Sequence, residues 1–430
     1  MSRLTQCAGT AAPLCPLFPR TRVLLAMGLA GSLAWPALLA RAQPAVTEQP
    51  VVPAPPAKAH PDKQPGKDPV ECEATPESLV SKDRLMTFLA ALPTKRAAWG
   101  SDEHQAGLRE TEKLLVAELE KLGYKPVLHD VDWIGGGRDR KEPWHNVIVE
   151  LPGGELASEI IVVGAHFDAV ADGPGADDNG TGASGLLELA RVLKDAPMKR
   201  TVRLCFFNLE EVGLVGSSRY ALELSEDVRA GKQNIVGMVA LDMLGYYSGE
   251  PDTQVWPKLP IRVKLPTTAD FIAVGGLIAN QHFSRPLIEG MRAAAPDCKV
   301  FAGDILPLAV PDFLRSDHAP FLAMGVPAVL VSDTANFRSP HYHRASDTIE
   351  TIDQERFFQT VRGLAGGIVA VANAELARQF QPLSPGQPIP EPLPVPPILP
   401  DNPDPQSPTA PVPTGPGLGK PPGQTPETPR

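Results

Sequence analysis

The chain has 430 residues and a hydrophobic fraction of 43%, enough for one large or two ordinary domains with a sizeable core. Its formal net charge of −10 and its pI near 5.5 leave no excess of Lys and Arg for contacts with phosphate groups. We therefore set aside binding to nucleic acid and to anionic membrane surfaces as function classes.

Residues 1–42 have the pattern of an export signal. Two arginines precede the apolar run 23–39, and Ala40 and Ala42 are the small residues that a signal peptidase requires. The run contains glycines and a proline and is shorter than the roughly 20 apolar residues of a membrane span. We therefore predict cleavage before Gln43, no stable membrane insertion afterwards, and a periplasmic or secreted product.

Two segments of biased composition flank the central region. Residues 43–76 are rich in Pro and Ala, and residues 381–430 contain 19 of the 49 prolines of the chain. Neither segment can bury enough apolar surface to offset the entropy lost on ordering. We predict a linker at 43–76, a disordered tail at 381–430 and one catalytic domain at 77–380.

Helical and strand patterns alternate along the predicted domain. Apolar residues spaced by three and four predict helices at 79–92, 108–122, 182–193, 217–224, 284–295, 316–324 and 353–376. Short runs rich in β-branched residues predict strands at 127–133, 146–151, 159–164, 202–208, 235–241 and 328–331. This alternation predicts an α/β fold, a three-layer α/β/α sandwich around a mixed, mostly parallel sheet. The functional site of such a sheet lies on loops after the C-terminal ends of its strands.

The first candidate metal ligands follow the strand at 159–164. His166 and Asp168 lie two residues apart, so in extended chain they share a face and the carboxylate can accept the second imidazole N–H. Further on, Asp177 and Asp178 are adjacent in a glycine-rich turn, where they repel each other unless a cation is near. Taken alone, a structural histidine and an ordinary helix N-cap explain these residues at least as well.

The next strands end in the same kind of side chain. Glu210 and Glu211 follow the strand at 202–208, and Asp242 interrupts an apolar sequence, where an unpaired buried carboxylate costs several kcal/mol. His341 and His343 lie in a later loop, and spacing alone does not choose between them. Two histidines, three carboxylates and a spare glutamate suit a pair of zinc ions that promote hydrolysis.

These segments resemble the co-catalytic zinc aminopeptidases of peptidase family M28 over roughly residues 77–375. The resemblance rests on motifs in the family's order: Gly164-Ala165-His166-Phe167-Asp168, Gly175-Ala176-Asp177-Asp178-Asn179, Glu210-Glu211-Val212-Gly213-Leu214, Leu241-Asp242-Met243 and the segment 343–348. It implies an α/β sandwich with two zinc ions that hydrolyses peptides at their N-terminus.

The resemblance also implies a role for each residue. His166 and Asp242 would hold one zinc, Glu211 and His343 the other, and Asp178 would bridge them. Glu210 would be the general base that takes a proton from the metal-activated water, and Asp168 would support His166. The ligand histidine stands four residues before an Asp-Thr pair, which selects His343. A cis peptide bond is implied between Asp178 and Asn179.

Three alternatives stay open at this point. A carboxypeptidase on the same fold would need a cation for the substrate carboxylate, and Arg315 and Arg338 are candidates. A glutaminyl cyclase would work with one zinc, against which the full ligand set argues. A non-catalytic relative would be expected to lose ligands or the base. We also expect Tyr246 and Tyr247 to form pocket wall and Asp317-His318 to give structural support.

Overall fold

A single mixed sheet organises the part of the chain that the structure describes. The structure is a computed structural model, and it describes residues 74–133, 143–257, 264–305 and 311–376. The eight strands are β1 (Val127–Val131), β2 (Trp144–Leu151), β3 (Leu156–His166), β4 (Arg200–Phe207), β5 (Asn234–Leu241), β6 (Ile272–Leu277), β7 (Val300–Ile305) and β8 (Ala328–Ser332). Their order across the sheet is β1-β2-β4-β3-β5-β8-β6-β7.

The four central strands run parallel, which brings their C-terminal ends to one edge. β3 pairs in parallel with β4 and β5, and β5 pairs in parallel with β8. The register places His166 of β3 opposite Phe207 of β4. Beyond β5, the amide of Asp242 donates to the carbonyl of Val331 in β8 at 3.1 Å. The residues that follow these strands are therefore level with one another.

Helices cover both faces of the sheet. They are α1 (Pro76–Leu79), α2 (Lys82–Ala91), α3 (Asp102–Lys121), α4 (Gly182–Val192), α5 (Val215–Arg229), α6 (Gln281–Ala294), α7 (Ala319–Ala323) and α8 (Gln354–Asn373). Residues of α2, α3, α4, α6 and α8 pack in one apolar cluster, and residues of α5 and α7 pack in a second. Along β3, Ile161 and Val163 belong to the first cluster, whereas Ile160 and Val162 belong to the second. The predicted three-layer sandwich is thus confirmed.

All six predicted strands are present, and two further strands were missed. β6 and β7 each contain glycine, which lowers strand propensity, and they pair in parallel with Gly275 opposite Gly303. A Cβ on Gly275 would lie 2.9 Å from the ring of Phe313, so the close approach of that ring excludes a side chain. The glycine that hid the strand from the sequence pattern is required by packing.

The predicted helices are also present, with shifted ends. The second long helix begins at Asp102, six residues before the predicted start, because Ser101 supplies a capping box with His104. After this helix, Gly123 has a left-handed φ of 84°, as is typical of a glycine that follows a helix C-terminus. Within the described ranges, no helix combines the length and apolar character needed to cross a bilayer. The predicted signal peptide, nearly all of the linker, and the tail lie outside those ranges.

Candidate metal centre

The C-terminal ends of the parallel strands and the loops after them carry every residue of the predicted ligand set. His166 is the last residue of β3, Glu210 and Glu211 follow β4, and Asp242 follows β5. Asp178 lies in an irregular turn, Ala176–Thr181, and its peptide bond to Asn179 is cis, as the resemblance implies. The backbone is left-handed at Leu209, Met243 and His343. Such conformations are uncommon outside glycine and cluster at functional sites.

Around His166, three acidic side chains converge on one imidazole nitrogen. Its Nε2 lies 3.4 Å from Oδ1 of Asp178, 3.6 Å from Oδ1 of Asp242 and 4.0 Å from Oε2 of Glu210. His166, Glu210 and Asp242 offer ligand atoms that all lie within 4.8 Å of one another, and so do His166, Asp178 and Glu211. The geometry at His166 therefore leaves Glu210, as well as Asp178 and Asp242, within reach of a candidate ion.

Around His343, a second set converges on the other oxygen of Asp178. Nε2 of His343 lies 3.1 Å from Oδ2 of Asp178 and 3.2 Å from Oε2 of Glu211. The two oxygens of Asp178 thus face different imidazoles, and each imidazole has a further carboxylate of its own. His341 instead makes a 3.0 Å contact from Nδ1 to the hydroxyl of Ser346. The structure brings together all five predicted ligands and leaves His341 aside.

Asp168 joins the two ligand-bearing loops. Its oxygens accept the backbone N–H groups of Glu210 at 3.0 Å and Glu211 at 3.2 Å. Its Oδ1 also lies 3.5 Å from Nδ1 of His166, and its carbonyl oxygen lies 3.2 Å from the same nitrogen. One buried carboxylate therefore orients an imidazole and the peptide groups of both glutamates, which goes beyond its predicted role beside His166.

Asp347 holds the turn that carries Asp178, a role that the sequence analysis missed. Its carboxylate accepts the N–H groups of Asp177 at 2.9 Å and Asp178 at 3.1 Å. In the resemblance to family M28, Asp347 serves only as part of the Asp-Thr pair that identifies His343. Its hydrogen bonds cross about 170 residues of chain, so no local pattern could have revealed them.

The two adjacent aspartates of this turn face different ways. Asp178 faces the imidazoles, whereas Asp177 accepts the N–H of Gly245 at 2.8 Å and the hydroxyl of Thr181 at 3.0 Å. Burial, together with the charge of Asp333, raises the pKa of Asp177 well above its ordinary value. The repulsion expected between adjacent carboxylates is therefore relieved by turning the two side chains toward different partners.

The electrostatics of the site are those of crowded, buried carboxyl groups. Burial raises the pKa of Glu211 to about 7, and the negative charge of Asp178 adds to this rise. Burial acts to raise the pKa of Asp178 too, but hydrogen bonds to His166 and His343 lower it below its ordinary value. Burial acts to lower the pKa of His343, yet Glu211 and Asp178 raise it to about 12. The carboxylates and the two imidazoles thus stabilise each other's charged forms.

The residues present fit a metal ion. Oε1 of Glu211 is buried, and no group among the described residues donates a hydrogen bond to it. A buried carboxylate oxygen without a partner is costly unless a cation satisfies it. Imidazole nitrogens and carboxylate oxygens at this ratio are a donor set that zinc accepts.

Comparison with known proteins places the chain in a family. The sequence model described as Peptidase family M28 matches residues 146–365, just over half of the 430 residues. The chain belongs to peptidase family M28. The predicted enzyme class, a metallo-aminopeptidase, is confirmed with the family.

Individual relatives agree with this assignment. The uncharacterized protein YfbL of Escherichia coli is 28% identical over 304 residues, which is 68% of this chain and 87% of that protein. The aminopeptidase YwaD of Bacillus subtilis is 33% identical over 231 residues, 51% of this chain and 42% of its own length. The crystal structure of the LapA aminopeptidase of Legionella pneumophila matches with a TM-score of 0.53 and 19% identity, covering 73% of this chain and 78% of that one. The structural likeness confirms the fold.

In this M28 peptidase four of the five candidate ligands and Glu210 line a cavity of about 740 Å³. Asp178, Glu210, Glu211, Asp242 and His343 all line it. Apolar and small side chains form much of the remaining wall, with Trp99 at 45% exposure. The candidate ligands therefore face a space large enough for a substrate residue and its neighbours.

Tyr342 also lines this cavity, whereas Tyr246 and Tyr247 are not among its lining residues. The ring of Tyr342 stacks on His343, with centroids 3.8 Å apart, and its hydroxyl accepts a hydrogen bond from Arg315 at 3.1 Å. Tyr247 instead makes a 2.8 Å contact with the hydroxyl of Thr360. The expectation that Tyr246 and Tyr247 form pocket wall is therefore not supported, and Tyr342 takes that place.

We expect Asp168→Asn to weaken zinc binding by roughly 10- to 100-fold, because it replaces one of the two oxygens that orient Glu210 and Glu211. The measurement is zinc affinity by competition with a chromophoric chelator. Asp270→Asn is the matched control, since Asp270 pairs with Lys299 and does not line the cavity. Equal zinc affinity in the Asp168 variant and the wild type would show that Asp168 does not contribute to metal binding.

Proposed function

We propose that this chain is an exported aminopeptidase that uses two zinc ions to hydrolyse the N-terminal residue from peptides. The observation that carries the proposal is the arrangement of Asp178 between His166 and His343, with one carboxylate oxygen toward each. A carboxylate in that position suits a bridge between two ions. Asp242 beside His166 and Glu211 beside His343 would be the terminal carboxylate ligands.

Glu210 is the candidate general base. It lines the cavity beside Asp178 and Asp242, and the five other residues already supply the ligands for two ions. Zinc ions held there would lower the pKa of a bound water and polarise the scissile carbonyl. The carboxylate of Glu210 would take a proton from water and deliver it to the leaving amine. Its main chain is oriented for this role by the hydrogen bond from its N–H to Asp168.

The cavity favours a substrate amine over a substrate carboxylate. Among the described residues, Arg315 is the one Lys or Arg side chain that lines it, and Arg315 already donates to Tyr342 and lies 3.6 Å from Asp312. Arg338, the other candidate, is buried away from the cavity and donates to Gln254 and the carbonyl of Phe271. The cavity wall carries Asp172 and Asp312 besides the ligands. This charge distribution supports aminopeptidase rather than carboxypeptidase action.

The mature protein should cleave aminoacyl nitroanilides and spare their N-acetylated counterparts, because the acidic cavity would bind a free ammonium group. A strong chelator should abolish the cleavage, and added zinc should restore it. The measurement is initial rate on a panel of both substrate types. Cleavage of blocked peptides from their C-terminus would favour the carboxypeptidase, and activity that persists after complete metal removal would end the metal mechanism.

Glu210→Gln should keep two bound zinc ions and lower kcat by roughly 10²- to 10⁴-fold, because the amide is nearly isosteric but cannot take a proton. Zinc content by atomic absorption and steady-state kinetics are measured on the same sample. Glu150→Gln, which removes a carboxylate paired with Arg203 outside the cavity, serves as the control. Loss of one zinc from the Glu210 variant would make Glu210 a ligand and leave the base unassigned.

Export is proposed from the first 42 residues, whose pattern is that of a cleaved signal. Expression of the full chain in a bacterial host should yield a periplasmic or secreted protein whose N-terminus is Gln43. Cell fractionation and mass spectrometry of the N-terminal peptide provide the measurement. A cytoplasmic product that still carries the arginines and apolar run would contradict the proposal.

A further inference from the structure

A buried arginine in the segment between two N-terminal helices lies behind the metal ligands. Arg96 follows α2 in the segment that leads to α3, outside residues 146–365 that match the family. Only 1% of its surface is exposed. Arginine is almost never fully buried without partners, so the contacts of Arg96 must explain its burial.

The guanidinium of Arg96 holds the chain on both sides of a loop. Its Nε donates to the carbonyl of Phe167 at 3.0 Å, Nη1 donates to Pro174, and Nη2 donates to Gly175. Its own carbonyl accepts the N–H of Ala169 at 2.9 Å. The planar fork thus joins the end of β3, which carries His166, to the start of the turn that carries Asp178.

The carbonyl of Gly175 is the point at which this turn closes. It accepts the N–H of Gly180 at 3.0 Å as well as the hydrogen bond from Arg96. Gly175 has a left-handed φ of 60°, and a Cβ there would lie 3.0 Å from Nη2 of Arg96. Asp347 holds the N–H groups of Asp177 and Asp178 within the same turn. The bridging carboxylate is therefore fixed by an arginine on carbonyl groups and an aspartate on amide groups.

Arg96 also places a positive charge behind a negative site. Burial lowers the pKa of its guanidinium, while the charges of Asp347, Asp168, Asp178 and Glu211 act in the opposite direction. Those four carboxylates repel one another. A fixed guanidinium near them lowers the cost of assembling the ligands before any ion binds.

We propose that Arg96 is a positioning residue for the metal centre, which preorganises the turn bearing Asp178 and so sets the zinc affinity. The inference rests on the proposed two-zinc function, since it assigns Asp178 as the bridge. It gives the N-terminal helices a functional part, because α2 and α3 deliver to the site a side chain that the family-matching segment does not contain.

The test compares Arg96→Lys and Arg96→Met with Arg200→Lys. Arg200 is a matched control, because it is 3% exposed, pairs with Glu159 and donates to the carbonyls of Ala372 and Ala374 at the other end of the sheet. Both Arg96 variants should bind zinc roughly 10- to 100-fold more weakly, with the larger loss for Met, which lacks the charge. Arg200→Lys should lower the melting temperature and leave zinc affinity unchanged.

A second measurement reports on the turn directly, and its wild-type part does not depend on how well a variant folds. In the wild-type protein stripped of metal, the amide hydrogens of Asp178 and Gly180 should stay protected from exchange, and protection should fall about tenfold or more in Arg96→Lys. Fast exchange of these amides in metal-free wild type would overturn the proposal, as would wild-type zinc affinity in Arg96→Met or an equal zinc defect in Arg200→Lys. Failure of the proposed function is distinguishable, since the wild-type protein itself would then bind no zinc or show no chelator-sensitive cleavage.

Discussion

The confinement of several buried carboxylates around Asp178 is the constraint on which the rest of the structure depends. Asp178 lies within 3.4 Å of one imidazole and 3.1 Å of another, and each imidazole contacts a further acidic group. Such a set is unfavourable in a low-dielectric interior unless cations and hydrogen bonds satisfy it. The parallel sheet places the ligands at the ends of adjacent strands, close enough to share cations. The side chains of Asp168, Asp347 and Arg96 supply the hydrogen bonds, which they make to backbone groups of the ligand-bearing loops.

The division of labour between these supports follows from their charge. Carboxylates take the N–H groups of the ligand loops, as Asp168 does for Glu210 and Glu211. The guanidinium takes the carbonyl groups, which no carboxylate can do. A loop that carries a ligand has both kinds of backbone group to satisfy once it is buried. At the buried turn Ala176–Thr181 supports of both charges are present, since Asp347 accepts from its N–H groups and Arg96 donates to the carbonyl of Gly175 just before it.

Much of the fold and of the ligand set could be predicted from the sequence, because both leave local traces. A strand followed by a polar residue marks the end of that strand in the sheet, and three such strands marked His166, Glu210, Glu211 and Asp242. His343 is different, since spacing did not separate it from His341 and the resemblance was needed. β6 and β7 were missed because glycine weakens their strand pattern, and in β6 the close approach of Phe313 requires the glycine at Gly275.

The supports left no trace of that kind. Arg96 donates to carbonyls of the two ligand-bearing segments 71 to 79 residues later in the chain, and Asp347 accepts from amides about 170 residues earlier. These contacts are made to backbone groups, so they do not restrict the residue type at the position that they contact. Gly175 is the exception, because space there is short. A side chain that binds main-chain groups restricts the residue type at its own position only. A side chain that binds a metal also restricts which residue types can serve as the other ligands. Patterns in one sequence therefore reveal the ligands of a site far more readily than the residues that hold those ligands in place.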